Sequence, residues 1–272
     1  MSVDPAKEDA STPPVTSDVF KTGKYAVLVR FFGNATTAGS GSFAEEFVML
    51  ADVARVNNGL QMSWKTCAYN GQALVPLFPP LDYGGVDVSN FPERTLQLVL
   101  NGNTFSTLGN PSLIGYEELT NCPAGSTQSH PERPWLAGGT CQCPTSSLLP
   151  TLPNDCRVTD IDGDGLPGFT VGWKGGTENR SYSRIKDSSQ LVNGLIAQNG
   201  EHRANLLPSY ENYQLGCDRE PCSRYPVQVC APEKNPARFL PLEDKEWSCA
   251  DVVKEVENRG DLGLGQLMGT GC

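Results

Sequence analysis

Three aspartates recur at every second position in residues 160–168, which read DIDGDGLPG. Carboxylates at this spacing converge on one hard cation when the backbone curls around it, and Gly165 permits the sharp turn that the curl requires. Oxygen ligands in an irregular loop suit Ca²⁺, because Mg²⁺ demands a stricter octahedron and retains water. The segment therefore predicts a calcium site whose ligands include Asp160, Asp162 and Asp164.

The acidic loop resembles the calcium loops of dockerins and of thrombospondin type 3 repeats over about nine residues. The resemblance implies that Leu166 adds its carbonyl group to the three carboxylates. The twelfth position, an acid in an EF-hand loop, is Val171 here. We therefore expect one structural ion whose shell is completed by water or by a remote carboxylate: Asp155, Glu178 or Asp187. The alternative is a solvated acidic turn, which Asp and Gly favour without any ion.

The overall charge and the cysteines narrow the range of partners and compartments. The chain of 272 residues has a formal charge of −10, whereas nucleic acids and anionic membranes attract clustered Lys and Arg. We therefore expect no nucleic-acid partner. An even number of cysteines, ten in all, is typical of an oxidising compartment, where they form disulfides. The predicted disulfide cysteines are Cys67, Cys122, Cys141, Cys143, Cys156, Cys217, Cys222, Cys230, Cys249 and Cys272.

Residues 1–19 have the composition of a flexible tether, since Ser, Thr and Pro are frequent there. They lack the basic start and apolar centre of a secretory leader, and no stretch reaches the ~18 apolar residues of a membrane span. We expect an exported chain whose leader has been removed. Membrane contact is then expected only through a lipid anchor.

Alternating apolar residues predict antiparallel strands around three hairpin turns, at Asn58-Gly59, Asn101-Gly102 and Asn199-Gly200. Residues 46–56 also fit a helix capped by Ser42, but we favour a strand there. The predicted strands are 24–32, 46–56, 60–68, 95–100, 104–108, 169–173, 181–186, 191–198 and 201–207.

Two cysteine-containing stretches without periodicity, residues 120–155 and 217–230, are predicted to be long loops stapled by disulfides. Zinc is the alternative for Cys141 and Cys143, but no histidine follows at the spacing of a zinc finger. Near the C-terminus, Ser248 and Asp251 predict the capping box of a short helix. That helix would place Cys249 for a bond to the Gly-rich tail, with Cys272 as the candidate partner, although sequence alone leaves the pairings open.

These elements predict one domain over residues 20–272 that belongs to the all-β class, with a short helix as its main non-β element. Its antiparallel meander would close into a barrel or stack as a sandwich, because either form avoids exposed strand edges. Disulfide-stapled long loops and a short C-terminal helix complete the predicted architecture.

The sequence offers no catalytic residue to nominate. A hydrolytic base is most often histidine, and the chain has only His130 and His202, both of which we expect to be exposed polar residues. We expect Trp64 and Trp173 to pack in the core and Trp135 to lie near the surface. Motifs for a nucleophile elbow, a phosphate loop or a zinc protease are missing from the sequence.

A wider resemblance rests on the order of residues 24–32, Asn58-Gly59, Cys67, 160–171, Tyr182, Gly194 and Leu215-Gly216-Cys217. In this order, across most of its length, the chain resembles uncharacterised exported lipoproteins of the myxobacterial type, which implies a cell-envelope location and no known activity. We therefore expect a secreted or cell-surface (outer-membrane) calcium-binding protein with a structural or adhesive role, whose partners are envelope proteins or glycans. A carbohydrate- or ligand-binding module is the first alternative and a secreted hydrolase the second.

Overall fold

The computed structural model describes residues 20–35, 41–73, 81–82, 88–119, 121–173, 181–218, 227–261 and 272. The predicted tether lies outside this set. The strands are β1 (Gly23–Ala35), β2 (Gly41–Val56), β3 (Gly59–Ala73), β4 (Leu81–Asp82), β5 (Arg94–Asn101), β6 (Thr104–Gly109), β7 (Ser112–Ile114), β8 (Thr127–Ser129), β9 (Thr140–Gln142), β10 (Phe169–Trp173), β11 (Ser181–Asp187), β12 (Gln190–Leu195), β13 (His202–Leu207), β14 (Tyr210–Cys217), β15 (Val227–Val229) and β16 (Pro236–Pro241). The α-helix α1 covers Cys249–Asn258, and short 3-10 helices cover Val88–Asn90, Ala137–Gly139 and Pro232–Lys234.

Eight strands form a closed antiparallel barrel: β1, β2, β3, β5, β6, β12, β13 and β16. Each strand pairs with the next one in this list. The last strand, β16, pairs with β1, and Phe239 lies opposite Val27. Closure removes the exposed edges that an open sheet would leave. The predicted mainly β antiparallel meander is confirmed, and it closes as a barrel.

The first strand shows how the barrel wall separates its two faces. Tyr25, Val27 and Phe31 point inward and join the buried core, as their alternation predicts. Leu28 points outward and is buried instead against α1. Each such apolar side chain contributes about 1.5 to 3 kcal/mol when it is fully buried, so both faces of β1 stabilise the fold.

A second sheet is built largely from the segment between β6 and β12. Its strand order is β14-β11-β10-β4, and β7 also pairs with β11. Strands β8 and β9 form a separate hairpin. The acidic loop lies between β9 and β10, so its position depends on this second sheet.

Disulfides link the elements, as the cysteine content predicts. Cys217 is also disulfide-bonded, and Cys222 lies outside the described residues. The predicted Cys249–Cys272 bond is wrong, because the first turn of α1 lies against β3 and brings Cys249 to Cys67 instead. The described bonds are Cys67–Cys249, Cys122–Cys143, Cys141–Cys156 and Cys230–Cys272.

The predicted C-terminal helix and its capping box are confirmed. The Ser248 hydroxyl accepts a hydrogen bond from the Asp251 backbone N–H at 3.2 Å, and the Asp251 carboxylate accepts one from the Ser248 N–H at 3.2 Å. Val252 and Val256 form the buried stripe of the helix. Local capping and burial against the barrel therefore favour the same helix.

Ser248→Ala should lower the free energy of unfolding by about 1 kcal/mol, the usual contribution of an N-cap hydroxyl. Thermal unfolding measures the change, and Ser248→Thr is the matched control because threonine keeps the accepting hydroxyl. Equal midpoints for Ser248→Ala and the parent protein would contradict the capping role.

Candidate metal centre

Two backbone hydrogen bonds close the acidic loop at its base. The Gly168 N–H donates to the Thr159 carbonyl at 2.7 Å, and the Ile161 N–H donates to the Gly168 carbonyl at 3.0 Å. The loop follows the disulfide-bonded Cys156 and leads directly into β10 at Phe169. The chain is therefore fixed on both sides of the three aspartates.

Asp160 organises the backbone inside the loop. One of its carboxylate oxygens accepts from the N–H groups of Gly163 at 2.7 Å and Asp164 at 3.2 Å, and the other accepts from Gly165 at 2.8 Å. Gly163 and Gly165 have φ values of 72° and 84°, a region that glycine enters without a steric penalty. The glycines thus allow the chain to curl around the Asp160 carboxylate, as predicted.

Asp162 is the carboxylate least satisfied by its surroundings. Its Oδ2 accepts from the Thr170 backbone N–H at 2.7 Å, whereas its Oδ1 is buried and receives no hydrogen bond from the described residues. The pKa of Asp162 is raised to about 6, mainly by burial; the Thr170 hydrogen bond opposes this rise, and the carboxyl groups of Asp164 and Asp160 add to it. A positive charge at this point would relieve the unfavourable environment.

The three predicted ligands meet in space. Oxygens from Asp160, Asp162 and Asp164 all lie within 4.8 Å of one another. Two oxygens bound to one Ca²⁺ at about 2.4 Å are at most about 4.8 Å apart, so the set fits a single ion. Leu166 belongs to the same loop, and its N–H donates to the Asp164 carboxylate at 2.9 Å.

Two of the remote acids proposed to complete the shell are engaged elsewhere. Asp155 accepts from the Arg157 guanidinium at 2.7 and 3.0 Å. Asp187 forms an ion pair with the buried Arg94 at 3.3 Å. Glu178 lies outside the described residues. Of the predicted ligands that could complete the shell, these contacts therefore leave Glu178 and water.

Thr170 contacts the acidic loop, and the sequence did not predict it as part of the site. Its backbone N–H holds Asp162, and its Oγ1 is buried without a hydrogen-bond partner among the described residues. Hard cations such as Ca²⁺ take oxygen ligands. Its position in the sequence could have suggested this role, because Thr170 is the eleventh residue counted from Asp160 and lies two residues after the loop.

The two histidines have different environments. His130 is partly exposed, and its Nδ1 lies 2.7 Å from Glu132. The expectation that His202 is exposed is wrong, because only 1% of its surface is accessible. It begins β13 on the inward phase of the barrel, in contact with the Phe20 ring at a centroid distance of 4.2 Å.

The tryptophans have structural contacts. Trp64 is buried in the barrel core, as predicted, and the side chain of Trp173 lies outside the described residues. Trp135 is half-buried, and its indole N–H donates to the Pro153 carbonyl at 3.0 Å. Trp247 donates to the Glu243 carbonyl at 3.0 Å. The indole N–H groups of Trp135 and Trp247 are therefore both satisfied by backbone carbonyls.

A groove of about 300 Å³ lies outside the barrel, between α1 and strands β2 and β3. Val48 and Val253 give it an apolar floor, and Glu46, Tyr69 and Glu257 add polar groups. The Glu46 carboxylate is already paired with Arg30 at 2.6 Å. The charge of Glu46 is therefore offset, and Glu257 is the second acid that lines the groove.

Comparison of the chain with protein-family models, with curated proteins and with solved structures finds no significant match. No described helix has the length and apolar character needed to cross a bilayer. The site must therefore be interpreted from its own geometry.

Proposed function

We propose that this protein is an extracytoplasmic calcium-binding component of the cell envelope with a structural or adhesive role. The buried Oδ1 of Asp162, which lacks a described hydrogen-bond donor inside a cluster of three carboxylates, supports this most directly. Three carboxylates held this closely repel one another unless a cation offsets their charge. Ca²⁺ supplies that charge with the flexible oxygen coordination that such a loop offers.

In this proposal Asp160, Asp162 and Asp164 bind the ion through their carboxylates. Leu166 contributes its carbonyl, and water or the Thr170 hydroxyl completes the shell. The ion would stabilise a loop that connects the disulfide-bonded segment ending at Cys156 with β10. Its role would therefore be structural, since one ion at this point ties two parts of the fold together.

The disulfides support the proposed location. All nine cysteines among the described residues are disulfide-bonded, and such bonds persist in oxidising compartments outside the cytoplasm. The charge of −10 disfavours nucleic acid, so envelope proteins and glycans are the proposed partners. Fractionation of the source cells tests the location, because recovery in the cytoplasm would contradict it.

Chelation of calcium should lower the unfolding midpoint by about 4 °C when the comparison sample contains free calcium at ten times Kd. Binding at that excess stabilises the native state by about 1.4 kcal/mol, and 1 kcal/mol corresponds to about 2 to 4 °C for a chain of this size. Thermal unfolding with and without a chelator measures the difference, and calorimetric titration should give one ion per chain.

Asp162→Ala and Asp164→Ala should each abolish the effect of the chelator. Asp52→Asn is the matched control, because Asp52 is an exposed acid on β2, and it should retain the full shift. An unchanged midpoint in chelator for the parent protein would overturn the calcium site. Equal shifts with calcium and magnesium would contradict its selectivity.

A further inference from the structure

Two disulfides lie side by side at the hairpin of β8 and β9. The bonds Cys122–Cys143 and Cys141–Cys156 belong to one apolar cluster. The Sγ atoms of Cys143 and Cys156, which belong to different bonds, are 4.0 Å apart. The Sγ of Cys122 joins them in a group whose members all lie within 4.8 Å of one another. A sulfur of one disulfide is therefore close enough to react with a sulfur of the other after a small movement.

The backbone explains why these sulfurs meet. Cys141 and Cys143 are both buried, whereas Gln142 between them is exposed, so the two cysteines share one face of the segment. Gln142 forms a parallel bridge with Asp155, and the next residue on each segment is a cysteine. Cys156 therefore lies beside Cys143, and its existing bond to Cys141 runs diagonally. Neighbouring segments about 4.8 Å apart fall within the Cα separations of disulfides, roughly 4.4 to 6.8 Å, so the backbone also allows a Cys143–Cys156 bond.

Cys122 is the only one of these four cysteines that is not buried. It is partly exposed, whereas Cys141, Cys143 and Cys156 are at most 1% exposed. The rate of attack by an external thiolate depends on access to the sulfur that it attacks. Because Cys122 is only partly exposed, a small thiol fits this position. Such a thiol would bond to Cys122 and release Cys143.

We propose that the two disulfides form a thiol-exchange site at which Cys122 accepts a low-molecular-weight thiol. The thiolate of that molecule bonds to the Cys122 sulfur, and the Cys122–Cys143 bond breaks with its electron pair left on Cys143. The Cys143 thiolate then bonds to the Cys156 sulfur, and Cys141 leaves as a thiolate that takes up a proton from water. Two S–S bonds break and two form, so the exchange involves no net oxidation or reduction.

The released Cys143 thiolate should react inside the cluster before it meets a second external thiol. Its sulfur must approach Cys156 by about 2 Å to reach an S–S bond of about 2.05 Å, a displacement that rotation about χ1 can supply. Burial of Cys143 keeps external thiols away, while Cys156 is present at a high effective concentration. No aspartate of the acidic loop takes part, so the exchange does not require calcium.

Incubation of the folded full chain with reduced glutathione, followed by rapid alkylation of free thiols, tests the exchange. The remaining disulfides are then reduced and alkylated with a second label, and fragment-ion sequencing locates both labels. We expect the first label on Cys141, because Cys143 has become bonded to Cys156. A first label on Cys143 with Cys141 still bonded, or no first label on either cysteine, would overturn the exchange site.

Cys122→Ser tests the internal step without an external thiol, because it leaves Cys143 without its partner. The single free thiol should then be divided between Cys143 and Cys141, since either can bond to Cys156. Cys67→Ser is the matched control: it leaves Cys249 unpaired, and Cys249 belongs to no group of three sulfurs among the described residues, so the label should stay on Cys249. Thermal unfolding confirms that both variants fold. A label confined to Cys143 in Cys122→Ser, or labels spread over several cysteines in both variants, would contradict a specific exchange.

Discussion

Replacing Gly168 with alanine will destabilise the protein by about 3 to 4 kcal/mol and disrupt the acidic loop. A Cβ at this position would lie 2.2 Å from the Ser183 carbonyl oxygen of β11, and the φ of Gly168 is 88°. Overpacking against rigid backbone contributes about 1 to 3 kcal/mol and the left-handed conformation a further 1 to 2. Relief of the clash requires movement of the same residue that closes the loop toward Thr159 and Ile161.

Gly163→Ala is the matched control for this experiment. Gly163 has a similar φ of 72°, but an added Cβ would meet no atom within 4 Å. Its cost should be about 1 kcal/mol, from the backbone conformation alone. Urea unfolding of both variants separates steric contact from backbone preference. Equal losses of stability would show that the approach of Gly168 to β11 is unimportant.

The barrel strands were predictable where hydrophobic alternation and hairpin signals agree. Residues 46–56 formed a strand and not a helix, because their inward side chains Ala51 and Val53 complete the buried core. A strand with one buried face alternates apolar and polar residues, so it can be recognised in the sequence. The meander could therefore be predicted from local sequence, whereas sequence left barrel and sandwich as alternatives because closure depends on pairing between its two ends.

The strand that closes the barrel was missed. β16 is bounded by Pro236 and Pro241, and prolines usually mark turns or edges. Its inward residues Ala237 and Phe239 are fully buried, but the run between the prolines is too short for a clear period. Tertiary pairing with β1 and β13, which local sequence does not report, makes this segment a strand.

Two hairpin turns were each displaced by one residue. The structure pairs Val56 with Gly59 and Asn101 with Thr104, so the turns are Asn57-Asn58 and Gly102-Asn103. The first residue of each turn has a positive φ. Burial of one strand face sets the register, and it overrides the preference of an Asn-Gly pair for the turn itself.

The acidic loop was the part of the candidate site that the sequence specified best. Its three carboxylates come from alternate positions of one short loop and lie close together in space. Their proximity therefore does not depend on contacts with distant parts of the chain. The surroundings were not predictable in this way. The arginine partner of Asp187 and the hydrogen bond from Thr170 depend on packing between loops and sheets.

The alternation of inward and outward side chains along β13 could have predicted that His202 is buried. His202, Ala204 and Leu206 share the inward phase of β13 and are all buried. The Ala197 backbone N–H donates to the Nδ1 of His202 at 3.2 Å, so Nδ1 is unprotonated in this arrangement. Its Nε2 is buried without a hydrogen-bond partner among the described residues. A protonated ring would place an N–H against the donating Ala197 N–H, and the fold would lose that hydrogen bond.

Acidification from pH 6.5 to pH 5 will therefore destabilise the protein through His202. Burial lowers the pKa of His202, and the charge of Lys21 lowers it further. The unfolded chain takes up a proton near pH 6.5 while the folded chain resists it, so stability is full above that pH and falls as the pH decreases toward the folded-state pKa. His202 should contribute a loss of up to about 1.4 kcal/mol per pH unit, which protonation of Asp162, with its pKa of about 6, partly offsets.

Urea unfolding at pH 7, 6 and 5 measures this loss, and His202→Gln should remove most of it, because glutamine does not titrate and its carbonyl can accept from Ala197. His130→Gln is the matched control, since His130 is partly exposed beside Glu132, and it should keep the pH dependence of the parent protein. Ring-proton NMR of the parent should show that the His202 ring resists protonation. If His202→Gln loses stability with acid as steeply as the parent does, the buried ring is not the group that links folding to pH in this range.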